Sequence, residues 1–356
     1  MIRQYIIYIS FIAAILLTGC KEITESDPEN PPPASDLTRP GKFIAFTSDK
    51  NGNEDIWIAQ VNSTGILEQS NFVFPTNPYN LTSGNASADR IPNWSSDGRI
   101  LVFTRESGSV QELWAFFFTE TGFIDPGVTS NPRVLFSSEG NLDNNASFSP
   151  DGNYMVFDRR YDNDTIPGIG DGDTRDLYTG NISGSGNNFA VTNIRPIKTS
   201  PRVDEFNPKW SPIISIRRVV YDNISPYFIS DRDIRIIDPL DSTYDIGYYS
   251  PGSSGYAAWQ PACTRIAFET NFENSGYYKL VVHRYPTENY TPVNLVQAGG
   301  ESNRYPSWQP NGEYIAYVKY ITAAKGIIYT TIGTGGTQQF LLPSEFDNYN
   351  NSYPSW

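Results

Sequence analysis

The sequence predicts an all-β fold, a six-bladed β-propeller in which a C-terminal strand completes blade one. Three observations carry this. An aromatic residue closes a short segment six times, at Trp94, Phe148, Trp210, Trp259, Trp308 and Trp356, with spacings of 54, 62, 49, 49 and 48 residues, in or near the range of blade repeats. Strand-like runs separated by turn residues follow these positions. The final Tyr353-Pro354-Ser355-Trp356 nearly copies Tyr305-Pro306-Ser307-Trp308, so the chain stops mid-unit, and Gly41-Lys42-Phe43-Ile44-Ala45-Phe46 supplies the continuation at the other end.

Within a unit the order is fixed. The aromatic ends the innermost strand, with proline two places before or after it. A turn comes next. Ser149-Pro150-Asp151-Gly152 places proline where φ is about −65° and glycine at the end, and Ser95-Ser96-Asp97-Gly98 and Gln309-Pro310-Asn311-Gly312 follow the same plan. Ser211-Pro212-Ile213-Ile214 and Gln260-Pro261-Ala262-Cys263 lack the Asp/Asn-Gly pair, so the hairpin register is less firmly specified there.

The second strand is a β-rich triplet: Leu101-Val102-Phe103, Met155-Val156-Phe157, Ile266-Ala267-Phe268 and Ile315-Ala316-Tyr317, with Val219-Val220-Tyr221 arriving two residues late. The third begins mostly on a polar residue: Asp55-Ile56-Trp57-Ile58, Glu112-Leu113-Trp114-Ala115, Asp176-Leu177-Tyr178-Thr179, Asp233-Ile234-Arg235-Ile236, Lys279-Leu280-Val281-Val282 and Gly326-Ile327-Ile328-Tyr329. A weaker fourth strand closes several units, as at Tyr79-Asn80-Leu81-Thr82 and Phe340-Leu341-Leu342. Four short strands per unit and six units make a propeller. Blade one owns only three strands from its N-terminal side, so residues 352–356 are expected to supply its innermost strand and remove an open edge. The recurring tryptophans are read as packing between blades.

The repeats resemble those of the TolB-like propeller family, which read approximately Pro-x-Trp-Ser-Pro-Asp-Gly followed by a strand ending in Ala-Phe. The resemblance covers residues 41–356 and implies a fold rather than an activity. The family's namesake carries an α/β domain ahead of its propeller, where this chain has a short tether.

The N-terminus reads as targeting. Arg3 gives a positive start, and Tyr5 to Leu17 is an apolar run too short for the ~20 residues of a membrane span. Leu17-Thr18-Gly19-Cys20 resembles the bacterial lipobox, which implies a signal peptide at 1–19 and lipidation of Cys20. Residues 20–40, with Pro28, Pro31, Pro32, Pro33 and Pro40, read as an extended tether. Lys21 is not the aspartate associated with inner-membrane retention, so the expected location is the outer membrane, on its periplasmic or cell-surface face. With Cys20 lipidated, no intramolecular disulfide is expected, Cys263 being the only other cysteine. The net charge of −13 argues against nucleic acid or anionic lipid as partners, leaving the lipid anchor as the membrane contact and an envelope protein or glycan as the partner class.

The sequence offers little catalytic material. His283 is the only histidine, and no nucleophile elbow, zinc spacing or phosphate loop occurs. Five aspartates between blade-three strands, Asp162, Asp164, Asp171, Asp173 and Asp176, suit calcium by oxygen richness. A solvated acidic loop explains them as well and is preferred, so the cofactor expectation is none, or calcium. Five positions before each aromatic stand Asp89, Asp143, Glu205, Ser254, Asn303 and Asn351, with Arg90 and Arg304 one place later. These residues are expected to ring one mouth of the channel and bind a cation or a basic segment. Strand-end caps holding ring waters are the competing account. Function is therefore read as a binding or scaffolding propeller. The alternative is a carbohydrate-active hydrolase or lyase using Asp89, Asp143 and Glu205.

Overall fold

Both faces of a propeller blade are covered by neighbouring blades, so its middle strands should read as unbroken apolar runs rather than alternating ones. Phe43-Ile44-Ala45-Phe46 is such a run, and in the computed structural model all four side chains are buried. The structure describes residues 42–356 apart from 69–72, 138–139, 162–173, 201–202, 225–231, 250–251, 274–275, 287–292, 297–298 and 337. The signal segment 1–19, Cys20 and the tether, and Asp162, Asp164, Asp171 and Asp173, therefore lie outside the described residues.

Blade one contains β1 (Phe43–Ser48), β2 (Asp55–Gln60) and β3 (Tyr79–Asn80). Blade two contains β4 (Ala88–Trp94), β5 (Ile100–Ser107), β6 (Val110–Phe117) and β7 (Arg133–Val134). Blade three contains β8 (Asn141–Phe148), β9 (Tyr154–Tyr161), β10 (Arg175–Ser183) and β11 (Ala190–Lys198). Blade four contains β12 (Asp204–Trp210), β13 (Val219–Ile224), β14 (Arg232–Asp238) and β15 (Asp241–Tyr249). Blade five contains β16 (Ser254–Trp259), β17 (Arg265–Thr270), β18 (Lys279–Arg284) and β19 (Val293–Val296). Blade six contains β20 (Ser302–Trp308), β21 (Tyr314–Thr322), β22 (Lys325–Ile332) and β23 (Gln339–Phe340).

The last strand, β24 (Asn351–Ser355), returns to blade one and gives it the order β24-β1-β2-β3. Ala45 stands opposite Ser355, and Ser48 opposite Asn351. Each inner strand packs on the next, from β24 through β4, β8, β12, β16 and β20 back to β24. That cycle is the ring.

Side chains alternate between the two faces of each strand, and the core consequently lies between blades. Phe43, Ile56 and Ile58 pack on Leu101, Phe103 and Phe116 of blade two. Ile44, Phe46 and Trp57 pack the other way, against Ala316, Val318 and Ile328 of blade six, with Trp356 completing the cluster. Phe148, Trp210, Trp259, Trp308 and Trp356 are all buried, and Trp94 is partly buried, as packing residues should be. The hairpin turns also close as the sequence indicates. Gly98, Gly152 and Gly312 take φ of 67°, 71° and 75°. The Ser95 and Ser149 hydroxyls donate to Asp97 and Asp151 at 2.7 and 2.5 Å.

Candidate functional site at the channel mouth

Every inner strand carries a bulge at the same place. Pairing slips between Arg90 and Asn93, Asn144 and Ser147, Phe206 and Lys209, Gly255 and Ala258, and Arg304 and Ser307, and once along the β1–β24 ladder. At each slip one residue adopts a left-handed backbone: Ile91, Asn145, Asn207, Tyr256, Tyr305 and Tyr353, with φ between 47° and 57°. Bulges re-aim side chains. Here they also turn a backbone N–H toward the preceding blade.

The acceptors for these N–H groups form a second ring. Ile91 donates to Thr47 Oγ1 at 3.2 Å, Asn145 to Thr104 Oγ1 at 3.2 Å and Asn207 to Asp158 Oδ2 at 3.3 Å. Tyr256 donates to Asp222 Oδ1 at 3.0 Å, and Tyr305 to Glu269 Oε2 at 3.2 Å. Blade six has Val318 at this position, which offers no acceptor. The acids Asp158, Asp222 and Glu269 are fully buried and are neutralised by arginines. Arg175 meets Asp158 at 2.9 Å, Arg232 meets Glu269 at 2.5 Å and Asp222 at 3.6 Å, and Arg304 meets Glu269 at 2.7 Å. Burial pushes Asp158 up to about 6 against the pull of Arg175, and Asp222 up to about 6 against Arg232.

The six bulged side chains divide the channel in two. Tyr256, Tyr305 and Tyr353, from blades five, six and one, pack together with ring centroids 4.4 Å (Tyr305–Tyr353) and 4.5 Å (Tyr256–Tyr305) apart. Ile91 and Asn207, with Tyr256 and Tyr353, line a cavity of about 310 Å³. Tyr256 and Tyr353 make its aromatic wall, while Arg90, Glu106, Gln111, Asn144, Arg175 and Asp204 make a polar one. Arg90 is held between Glu54 and Glu106, the latter at 3.0 Å.

Lys209 also belongs to the inner strands. Its ammonium donates to Asn93 Oδ1 and to Asn145 Oδ1, the latter at 3.4 Å. Burial pushes this group down to about 7, with Asp158 and Asp222 pulling it back. The residue as a whole is only partly buried, so the energetic effect is discounted accordingly. Between the folded and unfolded values the unfolded chain holds more protons, so stability rises with pH. Between pH 7 and pH 9 the parent is expected to gain on the order of 1–2 kcal/mol in urea unfolding relative to Lys209→Met. That comparison cancels the opposite slope of Glu205, whose raised pKa of about 8 lowers stability as pH rises through it. An unchanged slope in that variant would refute this origin.

The expected rim is only partly where the sequence suggested. Asp89, Asp143, Glu205, Asn303 and Asn351 are at most 1% exposed and face neighbouring blades, not a mouth. Arg90 does line the cavity. The reason is strand geometry, since adjacent residues point to opposite faces and one place separates Asp89 from Arg90. Asp89 is clamped by Arg105 at 2.7 and 2.8 Å, and Asp143 by Arg159 at 2.6 and 2.9 Å. Asn351 donates to the Gly326 and Phe346 carbonyls at 2.8 and 2.9 Å. Arg304 is drawn into the Glu269 pair.

Glu205 differs. Neither of its carboxylate oxygens has a hydrogen-bond partner. Burial pushes it up to about 8, with Asp176 adding to the rise and Ser200 opposing it. His283 is a buried packing residue whose Nδ1 lies 2.8 Å from the Tyr248 hydroxyl. Among the described residues no group of three or more His, Cys, Asp or Glu side chains is arranged to hold a metal ion.

The second-strand acids escaped the sequence reading although a signal existed. Asp158, Asp222 and Glu269 each directly follow the aromatic of the β-rich triplet, at Phe157, Tyr221 and Phe268.

Comparison with solved structures agrees with this architecture. TolB from Acinetobacter baumannii superposes with a TM-score of 0.63 at 16% identity, over 89% of this chain and 68% of that one. The chain has a β-propeller fold like that of TolB. A putative TolB from Agrobacterium tumefaciens gives 0.54 at 14% identity, over 87% and 96%. An oligogalacturonate lyase in complex with manganese gives 0.53 at 13%, over 85% and 74%. At such identities the TolB-like likeness is one of fold. No family model and no curated protein matches the sequence.

Proposed function

We propose that this TolB-like propeller is an exported, lipid-anchored binding module that holds a segment of an envelope protein or glycan at its channel mouth. The lipobox-like Leu17-Thr18-Gly19-Cys20 supports the anchor. The observation that carries the binding reading is the cavity's pair of unlike walls. Tyr256 and Tyr353 offer an apolar face, and Arg90, Glu106, Gln111, Arg175 and Asp204 offer hydrogen-bonding groups across from it. A concave site with an apolar wall and a few placed polar groups is the usual form of a recognition pocket.

The charges at the mouth are fixed by their own partners, as Arg90 is by Glu54 and Glu106 and Arg175 by Asp158. Such pairs present preset dipoles to a ligand and favour orientation over proton transfer. The hydrolase or lyase alternative drew on Asp89, Asp143 and Glu205, and all three are buried between blades.

A photoreactive residue placed at Gln111 in intact cells should capture a discrete partner that the same residue at the exposed outer-edge position Val293 does not. Arg90→Ala should reduce that capture several-fold. Equal capture from both positions would overturn the reading.

A further inference from the structure

Three successive inner strands place an acid at the same position, and its cross-strand neighbour is fixed by register. Asp89 stands opposite Arg105 and Asp143 opposite Arg159, and each arginine closes a two-point clamp on its carboxylate. Glu205 stands opposite Asn223. The blade-four site has kept the acid and lost the cation.

The neighbourhood makes the deficit larger. Asp176, at the start of β10 in blade three, lies against Glu205, with Asp204 and Asp245 adding negative potential. The nearby cations are engaged elsewhere. Lys198 sits on Asp245 at 2.9 Å, and Arg175 on Asp158 at 2.9 Å. Both Glu205 oxygens are buried and neither meets a donor in good hydrogen-bond geometry, although the nearby Ser200 eases the charge. A buried carboxylate without a partner is strongly unfavourable, so Glu205 must take up either a proton or a counter-ion.

We propose that Glu205 and Asp176 form an interblade site for a divalent cation that does the work arginine does in blades two and three. Carboxylates with the neighbouring Ser200 hydroxyl are hard oxygen donors, which suit calcium, magnesium or manganese rather than zinc or copper. Calcium takes about six to eight oxygens, so water completes the shell. The site lies on the face of β12 away from the channel cavity and does not depend on what occupies the mouth.

The test is melting of the purified propeller in chelator-treated buffer, titrated separately with calcium, magnesium and manganese. At an ion concentration about a hundred times Kd, Tm should rise by roughly 5 °C. Glu205→Gln and Asp176→Asn should each abolish that rise. Asn223→Arg supplies the missing clamp and should raise Tm in chelator while removing the response to ions. A Tm unmoved by all three ions, or stabilised only by lowering pH, means that a proton and not a metal neutralises the pair. A response that survives the substitutions would place the ion elsewhere. Either result overturns the proposal.

Discussion

Removing residues 351–356 is expected to abolish cooperative folding. The deletion strips β24 from blade one and leaves the inner edge of β1 unpaired. It also takes Trp356 out of a cluster shared by Ile44, Phe46 and Trp57 with blade six. Truncating one buried tryptophan to alanine costs about 3–5 kcal/mol. The Tyr353 ring is lost from the channel cluster. So are the bonds from Trp94 N–H to Ser355 Oγ at 3.3 Å and from Trp356 N–H to Ser307 Oγ at 3.0 Å. Together these approach the whole stability of an ordinary domain, about 5–15 kcal/mol. Near-ultraviolet dichroism should show no fixed aromatic environment in the truncated chain. Trp356→Ala alone should remain folded and lose about 3–5 kcal/mol in urea. A truncated chain that still melts in one sharp transition near the parent Tm would contradict the role assigned to β24.

Glu269→Ala should be the most damaging single charge removal. The carboxylate is fully buried between Arg232 and Arg304 and accepts the Tyr305 N–H as well. Its loss leaves two guanidinium groups without their main partner, although Arg232 retains Asp222 at 3.6 Å. Breaking a buried pair by deleting one member costs about 3–5 kcal/mol, chiefly from the uncompensated charge that stays behind. Glu301 is the control. It meets Lys319 at 2.6 Å, but both side chains are about one-third exposed, and such a pair contributes about 0–1 kcal/mol. Equal losses for Glu269→Ala and Glu301→Ala, measured by urea unfolding, would show that burial does not set the scale here.

The architecture was legible because it is written six times. The aromatic, the turn and the β-rich triplet each recur, so local ambiguity in one unit is resolved by the others. Gln260-Pro261-Ala262-Cys263 illustrates the point. Lacking the Asn-Gly pair, it nevertheless closes the same turn, with Cys263 at φ 56° and its N–H on the Gln260 carbonyl at 2.7 Å. Hairpin context imposed a conformation that the local residues do not favour. In the Trp210 unit the late arrival of Val219 corresponds to a longer turn through Ile213 and Ile216.

The site was less legible because its geometry depends on face, not on spacing alone. Counting back from the aromatic identified Asp89, Asp143 and Glu205 as equivalent, and they are. It did not reveal that the bulge at Ile91 and its counterparts changes which residue reaches the channel. Nor did it reveal that the register sets an arginine beside two of the acids and Asn223 beside the third. Those facts require the pairing partner of each strand, which is non-local information.

The meeting of β24 with β1 also bears on how quickly the native state is reached. The Trp94–Ser355 contact spans a sequence separation of 261 residues. Closing so long a loop costs conformational entropy before any contact repays it, and folds dominated by distant pairings assemble slowly. The seam should therefore be the last junction to zip during folding. Its amide protons, read by hydrogen exchange, should report the earliest partial opening of the ring.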